Sequence, residues 1–253
     1  SSEIDSAMFG TIFHRSAELI YGDFKAHGNV VNKEQIEQLL HNDVKLQGYV
    51  DRAFKEEFFQ VPLDEKPEYN GVQLVNSKVI ASYIRQLLRN DKEYAPFTLV
   101  DMEKKVSEDI SIPTAKGEIL SRIGGTIDRM DSKDGTLRIV DYKTGGFPKA
   151  AADIAALFTP AENRPNYIFQ TFLYAAIMTR QQKQKVAPSL LYIHQAASAD
   201  YKPYIEIGLR NNKTFVEDFT PYEEEFRELL TQLLSDIFNS EQPFNQTKFV
   251  NKC

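Results

Sequence analysis

The sequence predicts an α/β (α+β) fold in which helices flank a central mixed β-sheet and a helical region comes first. Apolar residues recur at helical spacing through most of residues 1–95, whereas later segments are rich in β-branched and alternating residues. The predicted order is a helical region, three strands, a helix, two strands and a closing helix. We expect a single domain over residues 1–253, with a mainly helical part at 1–95 and a sheet core at 96–240.

The N-terminal part contains four predicted helical segments. Asn32 is a suitable N-cap for the second, because its side chain can accept a hydrogen bond from the first turn. Two prolines favour a loop over Pro62–Gly71, between the third segment and the fourth. The predicted segments are Asp5–Gly22, which Gly10 interrupts, Lys33–Leu40, Val44–Phe59 and Val75–Leu88.

The rest of the chain alternates strand patterns with two amphipathic helical patterns. The helices are expected at about Pro165–Arg180, with proline in the first turn, and at Tyr222–Phe238. The predicted strands are Phe97–Val106, Glu118–Met130, Thr136–Lys143, Ser189–Gln195 and Tyr204–Arg210.

Composition excludes several classes of protein. Hydrophobic residues make up 42% and charged residues 26%, which is ordinary for a globular protein, and no apolar run approaches the ~18 residues of a membrane span. Cys253 is the single cysteine, so no intrachain disulfide can form, and we expect a reducing, cytoplasmic location. The net charge of -6 argues mildly against binding nucleic acid by charge alone, but it allows contact with phosphates through a bound cation.

The pair Asp134-Gly135 lies between two predicted strands and favours a two-residue type I′ hairpin turn. Such a turn pairs Lys133 with Thr136 and places Asp128 directly across from Asp141. A four-residue loop would make the two aspartates diagonal neighbours on the same face, whereas an odd-length loop would separate them. A two-residue turn and a four-residue loop therefore both place the carboxylates on the same face of the hairpin.

Two facing carboxylates suggest a metal site. Like charges about 5 Å apart across a sheet destabilise it, and a divalent cation with a preference for oxygen ligands reverses that effect. Strand alternation places Lys143 on the same face as Asp128 and Asp141. Phosphodiester hydrolysis uses this combination, with a metal that activates water and a lysine that positions the water or stabilises developing charge.

The blocks around these residues resemble the PD-(D/E)xK nuclease superfamily, and specifically its RecB/AddB-like branch, the nuclease domains of bacterial helicase–nucleases. Each block is weak alone, but four of them occur here in the order of that branch. They are Gly-x-x-x-His-x-x-x-Glu at Gly10, His14 and Glu18; Gly-x-Ile-Asp-Arg at Gly125–Arg129; Asp-Tyr-Lys-Thr-Gly at Asp141–Gly145; and Gln-x-x-x-Tyr at Gln170 and Tyr174.

The resemblance implies a restriction-endonuclease-like core and a metal-dependent deoxyribonuclease, with exonuclease action on single-stranded DNA ends in recombination or repair. It implies Mg²⁺ or Mn²⁺ held by His14, Asp128, Asp141 and the backbone carbonyl of Tyr142. Asp128, Asp141 and Lys143 would carry the catalysis. The expected substrate-positioning residues are Gln170, Tyr174 and Arg129, and the expected supporting residues are Glu18 and Thr144. Glu103, on the preceding strand, is either an outer carboxylate of the site or a solvated surface charge.

The chain departs from many AddB-like members, which carry four cysteines that bind an iron–sulfur cluster. With Cys253 alone, the cluster is expected only in an intact parent protein, of which this chain would be a fragment. The expected partners are DNA and a helicase domain or subunit, with no membrane. Two alternatives stay open, a non-catalytic DNA-binding or scaffolding module and a CRISPR-associated exonuclease, although the long helical insert after Glu18 argues against the latter.

Overall fold

The structure is a computed structural model, and it describes residues 3–162 and 164–240. The described residues form two compact units that alternate along the sequence. The first unit takes its residues from Ser1–Lys104, Ile127–Pro148 and Ser189–Pro203, and the second from Lys105–Thr126, Lys149–Pro188 and Tyr204–Cys253. Residue 95 still separates a mainly helical part from a strand-rich part, but the compact units do not follow that division.

The first unit contains four helices, each of which begins at a side-chain cap. Asn32 caps its helix as predicted and forms a reciprocal capping box with Gln35. Gly10 does not interrupt the first helix, because the capped helix simply continues through it. The helices are α1 (Ser6–Ala26), α2 (Lys33–Leu40), α3 (Asp43–Phe54) and α4 (Gly71–Tyr94).

Several predicted helix boundaries in this unit differ from the structure. The first helix continues past Gly22 to Ala26, and the fourth continues past Leu88 to Tyr94. The third segment is α-helical only to Phe54 and continues as a π-helical turn over Lys55–Phe59. The fourth begins at Gly71, four residues before the predicted start at Val75, because Asn70 and Gln73 form a second capping box. A cap in a loop sequence is a weaker signal than the apolar periodicity that starts later in the helix.

The described residues form a mixed five-stranded sheet with the strand order β1-β2-β3-β4-β5. The three middle strands occur where they were predicted, although β2 and β3 are longer, and β5 starts four residues earlier. The two-residue edge strand β1 was not predicted; it pairs with the start of β2. The strands are β1 (Val30–Val31), β2 (Phe97–Thr114), β3 (Gly117–Lys133), β4 (Thr136–Lys143) and β5 (Lys185–Tyr192).

The β3–β4 hairpin has the register that the turn sequence predicts. Lys133 pairs with Thr136, and the pairing continues antiparallel to Arg129 opposite Val140. Asp134 and Gly135 have φ angles of 50° and 78°, as both central residues of a type I′ turn require. Continued by one more pair, this register places Asp128 opposite Asp141.

The second unit contains α5 (Asn166–Gln181), α6 (Thr220–Asn239) and a small sheet of β6 (Glu206–Ile207) and β7 (Thr214–Phe215). The strand predicted at Tyr204–Arg210 is therefore shorter and lies outside the five-stranded sheet. Gly208, with a φ angle of 127°, ends it.

The described helices include none that is long and apolar enough to cross a membrane. Cys253 lies outside the described residues, so the structure does not bear on the expected iron–sulfur cluster.

Candidate active site

Three side chains of the first unit meet at a group that could hold a metal ion. His14 lies on α1, Glu103 on β2 and Asp128 on β3. Nδ1 of His14 is 3.4 Å from Oδ1 of Asp128 and 3.8 Å from Oε1 of Glu103. The potential ligand atoms of these three residues all lie within 4.8 Å of one another. One imidazole nitrogen and two carboxylates are thus brought together from three elements.

Helix α1 approaches the end of β4 closely, which places His14 over the hairpin. A Cβ atom on Gly10 would lie 3.6 Å from Oγ1 of Thr144, an ordinary contact distance. One turn further along α1, the His14 ring is edge-on to the Tyr142 ring, with 5.8 Å between centroids. Phe13 packs on the same tyrosine at 5.8 Å. The expected supporting residue Thr144 therefore lies at the helix–strand contact.

The hairpin supplies Asp128, Asp141 and Lys143. Oδ2 of Asp128 accepts a hydrogen bond from the backbone N–H of Tyr142 at 2.8 Å, and the negative charge of Asp128 acts on the neighbouring carboxyl group of Asp141. Nζ of Lys143 is 2.7 Å from Oδ2 of Asp141, in an ion pair whose side chains are 17% and 15% exposed. The three residues expected to be catalytic therefore lie side by side.

Burial and mutual repulsion perturb the acidic groups. Burial, and then the charge of Asp128, raise the pKa of Asp141 to about 6 despite the ammonium of Lys143. Burial opposes ionisation of Asp128 as well, but the hydrogen bond and charge of His14 outweigh it, so the pKa of Asp128 is lowered. For His14, burial lowers the pKa, but hydrogen bonds and charges from Asp128 and Glu103 raise it to about 10. The site therefore attracts positive charge strongly.

The residues present fit a divalent cation. Oδ2 of Asp141 is buried and accepts no hydrogen bond from the described residues, although the ammonium of Lys143 lies 2.7 Å away. A buried carboxylate oxygen without a hydrogen bond is costly unless a cation or water completes its environment. Carboxylate oxygens are the ligands that Mg²⁺ and Mn²⁺ prefer, and a neutral imidazole is a common further ligand of metal ions in proteins. The carbonyl of Tyr142 as a further ligand stays a prediction.

Glu103 was left open by the sequence, and the structure places it in the metal-binding group. Its φ angle of 50° is unusual for a non-glycine residue inside a strand. β2 contains no glycine at this position, so nothing in the sequence indicated the left-handed conformation. Strand alternation alone could not have indicated that its carboxylate turns toward His14.

The structure does not favour the substrate-positioning role expected for Arg129. Its side chain is 0% exposed and its guanidinium is occupied by Asp91 and Asp131, at 2.6 Å and 2.8 Å. Strand alternation explains the result, because Arg129 follows Asp128 directly and so lies on the other face of β3. A DNA chain cannot reach it there.

Glu18 makes its ion pair with Arg15, outside the metal-binding group. Its carboxylate is 2.7 Å from Nη1 of Arg15, and Nε of Arg15 is 2.6 Å from Glu56 in the π-helical turn. Glu18 does not belong to the group of His14, Glu103 and Asp128. Its observed contact is with Arg15, one residue after His14, and a supporting role in the site stays a prediction.

Gln170 and Tyr174 lie on α5 in the second unit. Nε2 of Gln170 donates to the hydroxyl of Tyr174 at 3.0 Å, as their i,i+4 spacing allows. Gln170 is partly exposed, whereas Tyr174 is only 5% exposed and therefore cannot stack on a base. A Cβ atom on Gly125 would lie 2.2 Å from the Tyr174 hydroxyl oxygen, so this tyrosine packs directly on the glycine backbone.

A family model of the PD-(D/E)XK nuclease superfamily matches residues 1–253. The chain belongs to this superfamily. Comparison with curated proteins gives no match. Superfamily membership implies a nuclease, a hydrolase of phosphodiester bonds that acts on DNA with a divalent metal. The α/β architecture with its five-stranded mixed sheet is consistent with the expected restriction-endonuclease-like fold, which confirms the fold class.

Proposed function

We propose that the protein is a Mg²⁺- or Mn²⁺-dependent deoxyribonuclease that acts as an exonuclease on single-stranded DNA ends. One observation carries the proposal. Two adjacent carboxylates, Asp128 and Asp141, have side chains at most 15% exposed and share a hairpin face with Lys143, and His14 is 3.4 Å from the first of them. A phosphodiester hydrolase needs this combination of charges, whereas a protein that only binds DNA has no need of a buried carboxylate pair.

His14, Asp128 and Glu103, whose potential ligand atoms lie close together, would hold the cation. Asp141, which the family resemblance also assigns to the metal, would be a further ligand from the neighbouring strand. When bound, the cation supplies an activated water and neutralises charge on the phosphoryl oxygens. The ammonium of Lys143, fixed beside Asp141 at 2.7 Å, donates hydrogen bonds to the attacking water or to a phosphoryl oxygen as negative charge develops there. Gln170, partly exposed on α5, would donate its amide to a backbone phosphate.

The finer assignment rests on sequence blocks. The four blocks at Gly10–Glu18, Gly125–Arg129, Asp141–Gly145 and Gln170–Tyr174 occur in the order of RecB/AddB-like nuclease domains. In that branch the nuclease domain accompanies a helicase and processes ends in recombination and repair. We therefore propose a helicase domain or subunit as the partner.

The test is cleavage of end-labelled single-stranded DNA with Mg²⁺, with Mn²⁺ and with a chelator. We expect metal-dependent release of short products from linear single strands, little cleavage of blunt duplex, and none of circular single strands, which offer no end. Lys143→Met should lower the rate by about 10²–10³-fold, as loss of one electrostatic stabiliser does, with metal binding retained.

Lys116→Met is the matched control, because Lys116 is an exposed lysine in the turn between β2 and β3. It should cleave at the wild-type rate. Cleavage of circular single strands would show that the protein acts as an endonuclease and not as an exonuclease. The proposal is wrong if wild-type protein cuts no DNA with either metal, or if Lys143→Met cuts as fast as the control.

A further inference from the structure

Arg129 is the centre of a buried network of charges in the first unit. Its guanidinium makes two hydrogen bonds to Asp91 on α4, at 2.6 Å and 2.9 Å, and one to Asp131 at 2.8 Å. The rings of Tyr21 on α1 and Phe97 on β2 lie against it, each 5.0 Å from the guanidinium carbon to the ring centroid. Four secondary-structure elements therefore meet at one side chain.

The network is balanced in charge. Arg138 on β4 binds Asp131 at 2.8 Å, so two arginines and two aspartates neutralise one another. All four side chains are at most 3% exposed. Buried ion pairs lose most of their Coulomb energy to desolvation, and apolar replacements are often equally stable. Stability of the fold alone is therefore a weak explanation for so many buried charges.

One bond of the network leads to the candidate active site. Nη1 of Arg129 also donates to the hydroxyl of Tyr142 at 3.1 Å. Tyr142 separates Asp141 from Lys143 in the sequence, its N–H donates to Asp128 at 2.8 Å, and its ring is edge-on to His14. The same residue thus touches Arg129 with its hydroxyl and two expected metal ligands with its backbone and ring.

A second connection passes through α1. The hydroxyl of Tyr21 donates to Asp91, the main partner of Arg129. Tyr21 lies seven residues after His14 on the same helix, which is two turns, or about 10 Å along the axis. Residues seven apart share a helix face, so a tyrosine held by the network fixes the face from which His14 approaches the hairpin.

We propose that Arg129 is a positioning residue, which holds Tyr142 and the α1 face so that His14 and Asp128 keep the arrangement that binds the cation. This inference rests on the proposed metal-dependent function. It gives Arg129 a role without any contact with DNA, through Tyr142 on one side and through Asp91 and Tyr21 on the other.

The test removes the link while sparing the fold. Tyr142→Phe deletes only the hydroxyl, keeps the ring and the N–H to Asp128, and leaves Arg129 bonded to Asp91 and Asp131. We expect the Mn²⁺ affinity, measured by calorimetry, to fall about 3–10-fold. The turnover number should fall while the KM for DNA and the melting temperature stay near wild type, because neither DNA contacts nor packing change.

Tyr94→Phe is the matched control. The Tyr94 hydroxyl donates to Asp131 at 3.2 Å, at the end of the network away from Tyr142. Its loss should leave Mn²⁺ affinity and turnover unchanged. A second variant, Asp91→Asn with Arg129→Gln, removes one charge of each sign and leaves the Asp131–Arg138 pair intact. It should be folded and should bind Mn²⁺ at least as weakly as Tyr142→Phe.

Wild-type Mn²⁺ affinity in Tyr142→Phe, or an equal loss in Tyr94→Phe, would overturn the positioning role. The outcome is distinct from failure of the nuclease proposal. Protein that binds Mn²⁺ but cuts no DNA would refute the nuclease, and the metal titrations would still decide whether Arg129 positions the ligands.

Discussion

Replacing Asp141 by asparagine should stabilise the metal-free protein, although it removes a residue that we place in the active site. Burial and the charge of Asp128 raise the pKa of Asp141 from 3.8 to about 6, so its ionised form is disfavoured in the folded protein despite Lys143. A shift of about two units corresponds to roughly 3 kcal/mol as an upper bound. Relaxation of neighbouring side chains in the wild type reduces this value, and we expect the variant to gain about 1–2 kcal/mol in free energy of unfolding.

The gain has a defined pH dependence. An acid whose folded pKa lies above its unfolded pKa destabilises the fold only at pH values above the unfolded pKa. The cost of Asp141 is therefore absent below about pH 4, develops between pH 4 and pH 6, and is complete above pH 6. Asparagine removes this cost, so the difference in stability should be present at pH 8 and absent at pH 4.

Denaturant or thermal unfolding with a chelator present measures the effect, and the expected rise in melting temperature at pH 8 is roughly 2–8 °C. Excess Mn²⁺ should reverse the order, because a cation at 100 times its dissociation constant stabilises the wild type by about 2.7 kcal/mol and the variant lacks a ligand. Asp64→Asn, at an exposed loop residue, is the control and should change little. A variant less stable than wild type at pH 8 without metal, or equally stabilised at pH 4 and pH 8, would refute the reasoning.

Three further predictions follow from the same contacts. Because the pKa of His14 is raised to about 10 without metal, Mn²⁺ must displace the proton of His14 in order to bind. The affinity for Mn²⁺ should therefore rise by up to about tenfold per pH unit between pH 7 and pH 9. Calorimetric titrations in buffers of different ionisation enthalpy should report the released proton. Glu103→Gln should weaken Mn²⁺ binding about tenfold or more in calorimetry with little change in metal-free stability, and an unchanged affinity would remove Glu103 from the ligands. Gly125→Ala should lower the free energy of unfolding, measured with denaturant, by about 1–3 kcal/mol, because the added Cβ would lie 2.2 Å from the Tyr174 hydroxyl. Gly22→Ala is the control, since its Cβ would have no atom within 4 Å, and it should not destabilise α1.

The parts of the fold that depend on neighbouring residues were predictable. Asp134-Gly135 set the turn type, the turn set the register, and the register placed Asp128 and Asp141 on one face of the hairpin. Asn32 marked the start of α2 for the same local reason, because a cap acts within four residues. Edge strand β1 escaped prediction, since two residues are too few for a periodic pattern and its strand conformation depends on pairing with β2.

The sequence by itself therefore determined the hairpin and most of the helices, because turn chemistry and apolar periodicity act over short distances. The hairpin register brought Asp128, Asp141 and Lys143 together, and the resemblance to a nuclease family supplied the other residues proposed to carry the chemistry. Only the tertiary structure decided the surroundings of Glu103 and Arg129. Glu103 joins His14 because its strand adopts a φ angle of 50° at that residue, and Arg129 is withdrawn from DNA because Asp91, 38 residues earlier in the chain, neutralises it in the core. Burial and ion pairing join residues far apart in sequence, and no local pattern encodes which distant carboxylate neutralises an arginine on the inner face of a strand.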